Sequence, residues 1–213
     1  IGGIPTDASG NVINGSWDAP LSGLFAAGDA ACSGLHGAAL NSGDHLLGAL
    51  ASGATAGTSA SEHASNSKHS ASSEISIALS EAHVLHDSIL TAVDSDGASS
   101  GAIQSSLATT MRTHMGSERN ARGLSTAAAA IQELQQTKLS ITDSSPVMNT
   151  EMVSMLRTQG LLSVASAAVS AAMAREESRG THVRTDHPDT DANQAKHSLS
   201  TNDGTVTSLT LRS

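Results

Sequence analysis

The chain has 213 residues, a net charge of −9 and two aromatic residues, Trp17 and Phe25. Alanine and serine make up about a third of it; Leu, Ile, Val and Phe fall just under the ~20% at which disorder becomes an option, although the charge is modest for the strongly charged disordered class. A pI near 5.4 without a Lys/Arg cluster argues against nucleic acid, no run of about 18 apolar residues is present to cross a membrane, and one cysteine, Cys32, excludes an internal disulfide and a multi-cysteine metal site. With so few large aromatics, the chain is expected to need a partner to complete its packing. Ile1 to Pro5 carry no initiator Met, basic region or apolar signal run, and read as the middle of a longer protein or a processed chain.

Residues 1–57 form a glycine-rich first block with glycines at turn positions: Gly10 after Asp7, Asn14-Gly15, Gly28, Gly37, Gly43, Gly53 and Gly57. Val12-Ile13 and Leu21 to Ala27 are short apolar runs. Gly23 to Asp29 predicts a short buried strand ending in a glycine and an acid. Asp44 to Ala56 follows with Leu46, Leu47 and Leu50 at helical spacing. Strand, Gly-Asp, loop and helix in succession make a place where backbone amides approach a ligand.

Residues 58–73 are rich in Ser, Ala and His and read as a linker or a poorly fixed helix end. A helix is predicted over 74–94, with Ile75, Leu79, Ala82, Leu85 or His86, and Ile89 on one face, stopped by Asp94 to Gly97. A second spans 102–115 on Ile103, Leu107, Met111 and Met115. A third runs from Ser125, a candidate N-cap, to Leu139. The longest starts at Asn149 or Thr150, carries Met152, Met155, Leu156, Leu162, Ala165, Val169, Ala172 and Met173, reaches about Glu177, and is ended by Arg179-Gly180. Beyond it a polar, Asp-rich stretch gives way to alternating Val206, Leu209 and Leu211, an edge strand or hairpin. The fold class is mainly α with a small α/β part: 1–57 as one segment, 58–100 as linker and variable helix, 101–182 as a helical domain, and 183–213 as a short β tail.

Three ordered motifs carry a resemblance. Gly2 to Asp7 is the first. Gly23 to Cys32 followed by Leu35-His36-Gly37-Ala38 is the second. Ala174 to His182, then Arg184, Asp186, Pro188, Asp191 and Lys196 to Leu199, is the third. Together they resemble the succinate dehydrogenase and fumarate reductase flavoprotein family over nearly the whole chain, most weakly between 58 and 100. The resemblance implies that 1–57 is the C-terminal segment of an FAD-binding domain and that FAD is the cofactor. It also implies succinate oxidation to fumarate with electrons passing to an iron–sulfur subunit and a quinone. The implied partners are the N-terminal flavoprotein portion or chain, the iron–sulfur subunit and, indirectly, membrane anchor subunits. The implied location is the matrix side of the mitochondrial inner membrane or the cytoplasmic face of a bacterial membrane.

A flavin needs a carboxylate near its sugar hydroxyls and backbone amides near its pyrimidine edge, where negative charge develops on reduction. The resemblance puts Gly28, Asp29, His45 and Leu46 at the cofactor and His36 at the substrate. Asp29 stands where the family usually has Glu, one methylene longer. His45 stands where it has Ser, Ala39 where it has Asn, and Leu40 where it has an arginine that clamps a substrate carboxylate. Leucine cannot supply that cation. The family's flavin-attaching histidine, dinucleotide fingerprint and catalytic arginine have no counterpart in these residues, so catalytic residues are unassigned and the chain is not expected to turn over substrate alone.

Other readings stand beside this one. Ser33 to Gly37 resembles the loop of L-aspartate oxidase, and a soluble fumarate reductase fits the same motifs. Loss of the arginine suits a degenerate, non-catalytic subunit. His83 and His86, three apart on a helix, have a zinc-compatible spacing without a third ligand, and no metal is assigned. Cys32 reads as a buried small residue, the methionines at 111, 115, 152, 155 and 173 as core, and Glu176, Glu177 and Arg179 as a solvated or interdomain charge cluster.

Overall fold

A computed structural model describes residues 3–14, 19–68, 71–93 and 96–200, and the backbone of 206–209. Trp17, the Gly2 end of the first motif, the Gly15 of the Asn14-Gly15 turn, the start of the Asp94–Gly97 stop, residues 69 and 70, and Leu211 lie outside the described residues. The chain divides into two units, Ile1–Ala71 and Ser72–Ser213.

The first unit is built from short strands and one long helix. Strand β1 (Ile4–Pro5) pairs in parallel with β4 (Ala31–Cys32), and β2 (Asn11–Ile13) pairs antiparallel with β3 (Pro20–Phe25). The turn into β2 is fixed by Asp7, whose carboxylate accepts the N–H groups of Ser9 and Asn11, both at 2.9 Å. Gly10 closes that turn at φ +81°, and a Cβ there would stand 2.6 Å from the Cβ of Ala56, so only glycine lets the turn lie on the helix. That helix, α1 (Asp44–Asn66), begins after Gly43 at φ +90°. Residues 58–66, expected as a linker or a poorly fixed helix end, continue α1 without a break, because a Ser/Ala-rich segment with no Gly or Pro after Gly57 has nothing to stop it. Contrary to the sequence reading, β3 is exposed along most of its length; among the described residues of this unit, Val12 and Ala56 are the buried apolar side chains. Cys32 is half-buried.

The second unit holds α2 (Ser72–Leu90), β5 (Ala98–Ser99), α3 (Ser100–His114), β6 (Glu118–Arg119), α4 (Ala121–Gln136), β7 (Leu139–Ser140), α5 (Thr150–Ala174), β8 (Val183–Arg184), β9 (His197–Ser200) and β10 (Val206–Leu209). Helices α3, α4 and α5 pack on one another as a bundle. The stripe on α5 is Met155, Thr158, Leu162, Ala165, Val169 and Ala172, spaced alternately by three and four, the repeat that keeps one face of a helix against its neighbours. It meets Ala127 and Ile131 of α4 and Ile103 and Leu107 of α3, with Ile89 of α2 closing the core; Leu124 of α4 is also fully buried. Thr158 is fully buried and satisfied, donating to the Ser154 carbonyl at 2.7 Å and accepting from Gln104 at 2.8 Å. By length and composition α5 could cross a membrane, with a mean hydropathy of 1.2; its packing makes it the core helix of the bundle.

Caps set the boundaries. Asn120, not Ser125, caps α4, its side chain accepting the Gly123 N–H at 2.8 Å, so the cap lies five residues earlier than read. Asn149 starts α5 as expected, accepting from Met152 at 2.8 Å. Helix α5 stops at Ala174 rather than near Glu177, since Arg175 and Glu177 turn into a buried ionic network. Of the methionines expected in the core, Met155 is buried, Met111, Met115 and Met152 pack against it, and Met173 is 39% exposed. Strands β9 and β10 form an antiparallel hairpin with Leu209 opposite His197. The mainly helical fold with a small α/β part and a β tail is the one expected.

Candidate functional site

In the first unit, β3 leads into a single 3₁₀ turn, Gly28–Ala30, entered through Gly28 at φ +61°. Ser52 ties this turn to α1: its hydroxyl accepts the Gly28 N–H at 3.0 Å and donates to the Gly48 carbonyl at 2.6 Å. Asp29, inside the turn, meets His45 on the first turn of α1, with Oδ1 and Nδ1 2.8 Å apart and the side chains 80% and 65% exposed. Leu46 follows at 69% exposure, with Leu47 and Leu50 exposed beside it. Gly28, Asp29, His45 and Leu46 are therefore brought to one place. Helix α1 has no side-chain N-cap. The N–H groups of His45 and Leu46 have no partner among the described residues, so the positive end of the helix is open.

His36 lies on the neighbouring loop. Its Nδ1 is 3.9 Å from Asp44 Oδ2, and its ring packs over Gly48, where a Cβ would be 3.2 Å away. Leu40 is half-buried on the same loop. The set of groups suits a flat heterocycle with carbonyl oxygens and a hydroxylated chain: open amides and a helix dipole for the carbonyl oxygens, Asp29 for hydroxyls, and exposed leucines for an aromatic face. The residues present thus fit FAD.

The second cluster is structural. Glu177, expected as part of a solvated or interdomain group, is fully buried. Its carboxylate accepts Arg175 at 2.6 Å, Arg179 at 2.8 and 3.0 Å, and the Asp191 N–H at 2.9 Å. Burial pushes this carboxyl up, but Arg179, the Asp191 amide and Arg175 outweigh it and hold its pKa at about 2. Arg184, also buried, binds Asp186 through two parallel bonds of 2.8 and 2.9 Å and donates to the Ala172 and Arg175 carbonyls, capping the end of α5. Asp186 in turn accepts the Ala121 N–H at the start of α4, 2.8 Å away. The Arg184 guanidinium beside it holds the Asp186 carboxyl well below its usual range.

His182 stands between two cationic residues. Arg119 approaches Nδ1 at 2.9 Å, and the Arg175 carbonyl approaches Nε2 at 3.2 Å. Arginine only donates, so Nδ1 accepts and Nε2 carries the proton. Burial, reinforced by Arg119, Arg175 and Arg184, lowers the His182 pKa, while the Arg175 carbonyl opposes the shift. Sequence reasoning singled out neither this histidine's role nor Ser52; a serine two turns into a helix carries no motif. The helical histidines behave differently from a zinc pair: His86 contacts Asp87 and the Pro146 carbonyl, each at 3.2 Å. No cluster of metal-ligating side chains occurs among the described residues. An open cup of about 330 Å³ in the tail is lined by Glu176, Asp186, Asp189 and Asp191 with His187, an acidic lining that repels a dicarboxylate.

Two family models match the chain. One, described as fumarate reductase flavoprotein C-term, covers residues 104–213. The other, described as FAD binding domain, covers residues 1–46. A fumarate reductase flavoprotein subunit of Mycobacterium tuberculosis is 33% identical over 196 residues, covering 90% of this chain and 32% of the relative. A succinate dehydrogenase flavoprotein subunit of Rickettsia felis is 32% identical over 215 residues, covering 95% of this chain and 35% of the relative. Among solved structures, quinol fumarate reductase of Escherichia coli superposes with a TM-score of 0.83 at 28% identity, covering 97% of this chain and 35% of that one. The Sdh1 complex of Mycobacterium smegmatis gives 0.75 at 26% identity, covering 91% and 31%. The chain spans about a third of the length of the relatives it matches. An FAD-binding segment with open amides beside Asp29, followed by the matched helical bundle and tail, places this chain in the succinate dehydrogenase and fumarate reductase flavoprotein family, as its C-terminal part.

Proposed function

We propose that this chain forms the C-terminal part of a succinate dehydrogenase flavoprotein, completing an FAD site whose main part lies on the N-terminal flavoprotein portion or on another chain. Gly28, Asp29, His45 and Leu46 hold the cofactor: Asp29 accepts from its hydroxyls and the α1 amides face its pyrimidine carbonyls. Bound FAD supplies the two-electron acceptor for oxidation of succinate to fumarate. His36 contacts the substrate. The electrons leave through an iron–sulfur subunit to a quinone at a membrane, on the matrix side of a mitochondrial inner membrane or the cytoplasmic face of a bacterial one. The observation that carries this reading is the joint match of an FAD-binding segment and the flavoprotein C-terminal domain in one chain.

One feature supports a second reading. Leu40 provides no cation for a dicarboxylate, which suits a non-catalytic structural subunit. Native purification tests both, with mass spectrometry of everything that co-purifies and a flavin spectrum of the same sample. FAD, an iron–sulfur subunit and succinate-dependent bleaching of the flavin support the dehydrogenase. The same complex without bleaching supports the structural subunit. A flavin-free chain without such partners overturns both.

A further inference from the structure

The loop between β7 and α5 carries Val147 and Met148 near its end, 72% and 91% exposed. Ile141, where the loop starts, and Asn149, where it ends, are buried. Between them the backbone is fixed by hydrogen bonds. The Asn149 side-chain amide donates to the Asp143 and Ser145 carbonyls at 2.8 and 3.1 Å, and the Asp143 carboxylate accepts the Ser145 N–H at 2.8 Å. Glu151 accepts the Thr142 and Asp143 N–H groups at 2.5 and 3.0 Å, and His86 of α2 meets the Pro146 carbonyl at 3.2 Å. Met148 itself stands at φ +59°, the one residue other than glycine with a positive φ among the described residues. A left-handed backbone suits glycine and strains a residue with a Cβ. Burial returns nothing for that strain, because the side chain lies in solvent. Folding of this chain therefore does not account for a methionine at this position.

Recognition does. Two adjacent apolar side chains sit on a loop whose conformation is set before anything binds, so contact requires little further ordering. Methionine adapts its shape to an apolar surface. The carboxylates bonded into the loop are Asp143 and Glu151, and Asp87, 77% exposed, contacts His86 next to it. In a chain of net charge −9, a second copy would set these carboxylates against their own kind, and an anionic lipid surface meets the same repulsion. A basic protein surface is the complementary one. We propose that Val147 and Met148 dock into an apolar socket edged with Lys or Arg on another polypeptide. This docking holds whether or not the chain carries flavin.

The test introduces the photo-crosslinker p-benzoylphenylalanine in place of Met148, purifies the chain natively with its partners, and locates the adduct by mass spectrometry. An adduct on an apolar residue of another polypeptide, with Lys or Arg around it, is expected. An adduct within the same chain, on a second copy, on lipid or on an acidic surface overturns the proposal, and so does no adduct. Affinity for the crosslinked polypeptide is then titrated by calorimetry, with melting curves of each variant. Val147→Asp and Met148→Asp are each expected to weaken binding by about tenfold or more, and Met148→Leu to stay within about threefold of wild type. Raised salt should weaken it too. Met148→Gly separates recognition from folding: it relieves the backbone, so it should melt at or above the wild-type temperature while binding falls about tenfold. A Gly variant that melts lower or binds as well as wild type, silent Asp substitutions, or salt-independent binding overturns the proposal.

Discussion

Replacing Glu177 by Gln removes the charge at the centre of the network that joins the end of α5 to the tail. The carboxylate accepts four hydrogen bonds, three from Arg175 and Arg179 and one from the Asp191 amide. Its pKa falls from 4.5 to about 2 in the folded protein, which corresponds to about 3 kcal/mol at neutral pH. Arg175 and Arg179 are 18% and 31% exposed, so solvent screening reduces this toward about 2 kcal/mol. Glutamine also turns an N–H₂ donor toward guanidinium donors, leaving a buried charge without its acceptor. The expected loss for Glu177→Gln at pH 7 is about 3 kcal/mol, read from urea unfolding followed by circular dichroism. The pH profile separates charge from packing. The folded pKa lies below the unfolded one, so the stabilisation is complete above 4.5 and drains as pH falls through that value toward about 2. Wild type should lose about 2 kcal/mol more than the variant across that window. A variant within about 0.5 kcal/mol of wild type at pH 7, or parallel pH profiles, would refute the reasoning.

Leu124 of α4 is fully buried, so Leu124→Ala should cost about 2–5 kcal/mol of unfolding free energy in the same assay. Asn149→Ala removes the α5 cap and the donors to the Asp143 and Ser145 carbonyls; a loss of about 1–3 kcal/mol is expected by thermal unfolding. The folded pKa of His182 lies below its ordinary 6.5. Nitrogen NMR should therefore show a neutral Nε2–H ring at pH 6.5, and its contribution to stability, present above 6.5, should be lost as pH falls below that value; an imidazolium at pH 6.5 contradicts the assignment. Leu40→Arg should strengthen succinate binding to the FAD-loaded flavoprotein by about tenfold or more, measured by calorimetry. An unchanged affinity would mean that residue 40 does not face the substrate.

The bundle was legible because its signals are local. The alternating three- and four-residue spacing from Met155 to Ala172 specifies one buried face without reference to the rest of the chain, and Asn149 marks its own helix start. The order of the motifs also carried the family and, through it, the cofactor. Sequence periodicity failed where a boundary depends on a distant partner. Asn120 caps α4 in a place where Asp186, far along the chain, supplies the next amide's acceptor, while Ser125 has the right chemistry and stays inside the helix. Residues 58–66 read as a linker or a helix end because their low complexity hides an uninterrupted helical backbone.

The sequence by itself determined the helical stripes, the glycine turns and the identity of the residues around Gly28 and His45. The tertiary structure decided which of them meet. It converted Glu177 from an apparent surface charge into a buried acceptor, because burial depends on where Arg175, Arg179 and the Asp191 amide converge and not on the polarity of the local segment. It also set Asp29 against His45, a contact between residues of two elements that has no signature in either segment alone. Charges acquire their energetic meaning from three-dimensional neighbours and solvent exclusion, whereas a helical face is already written in the spacing of its side chains.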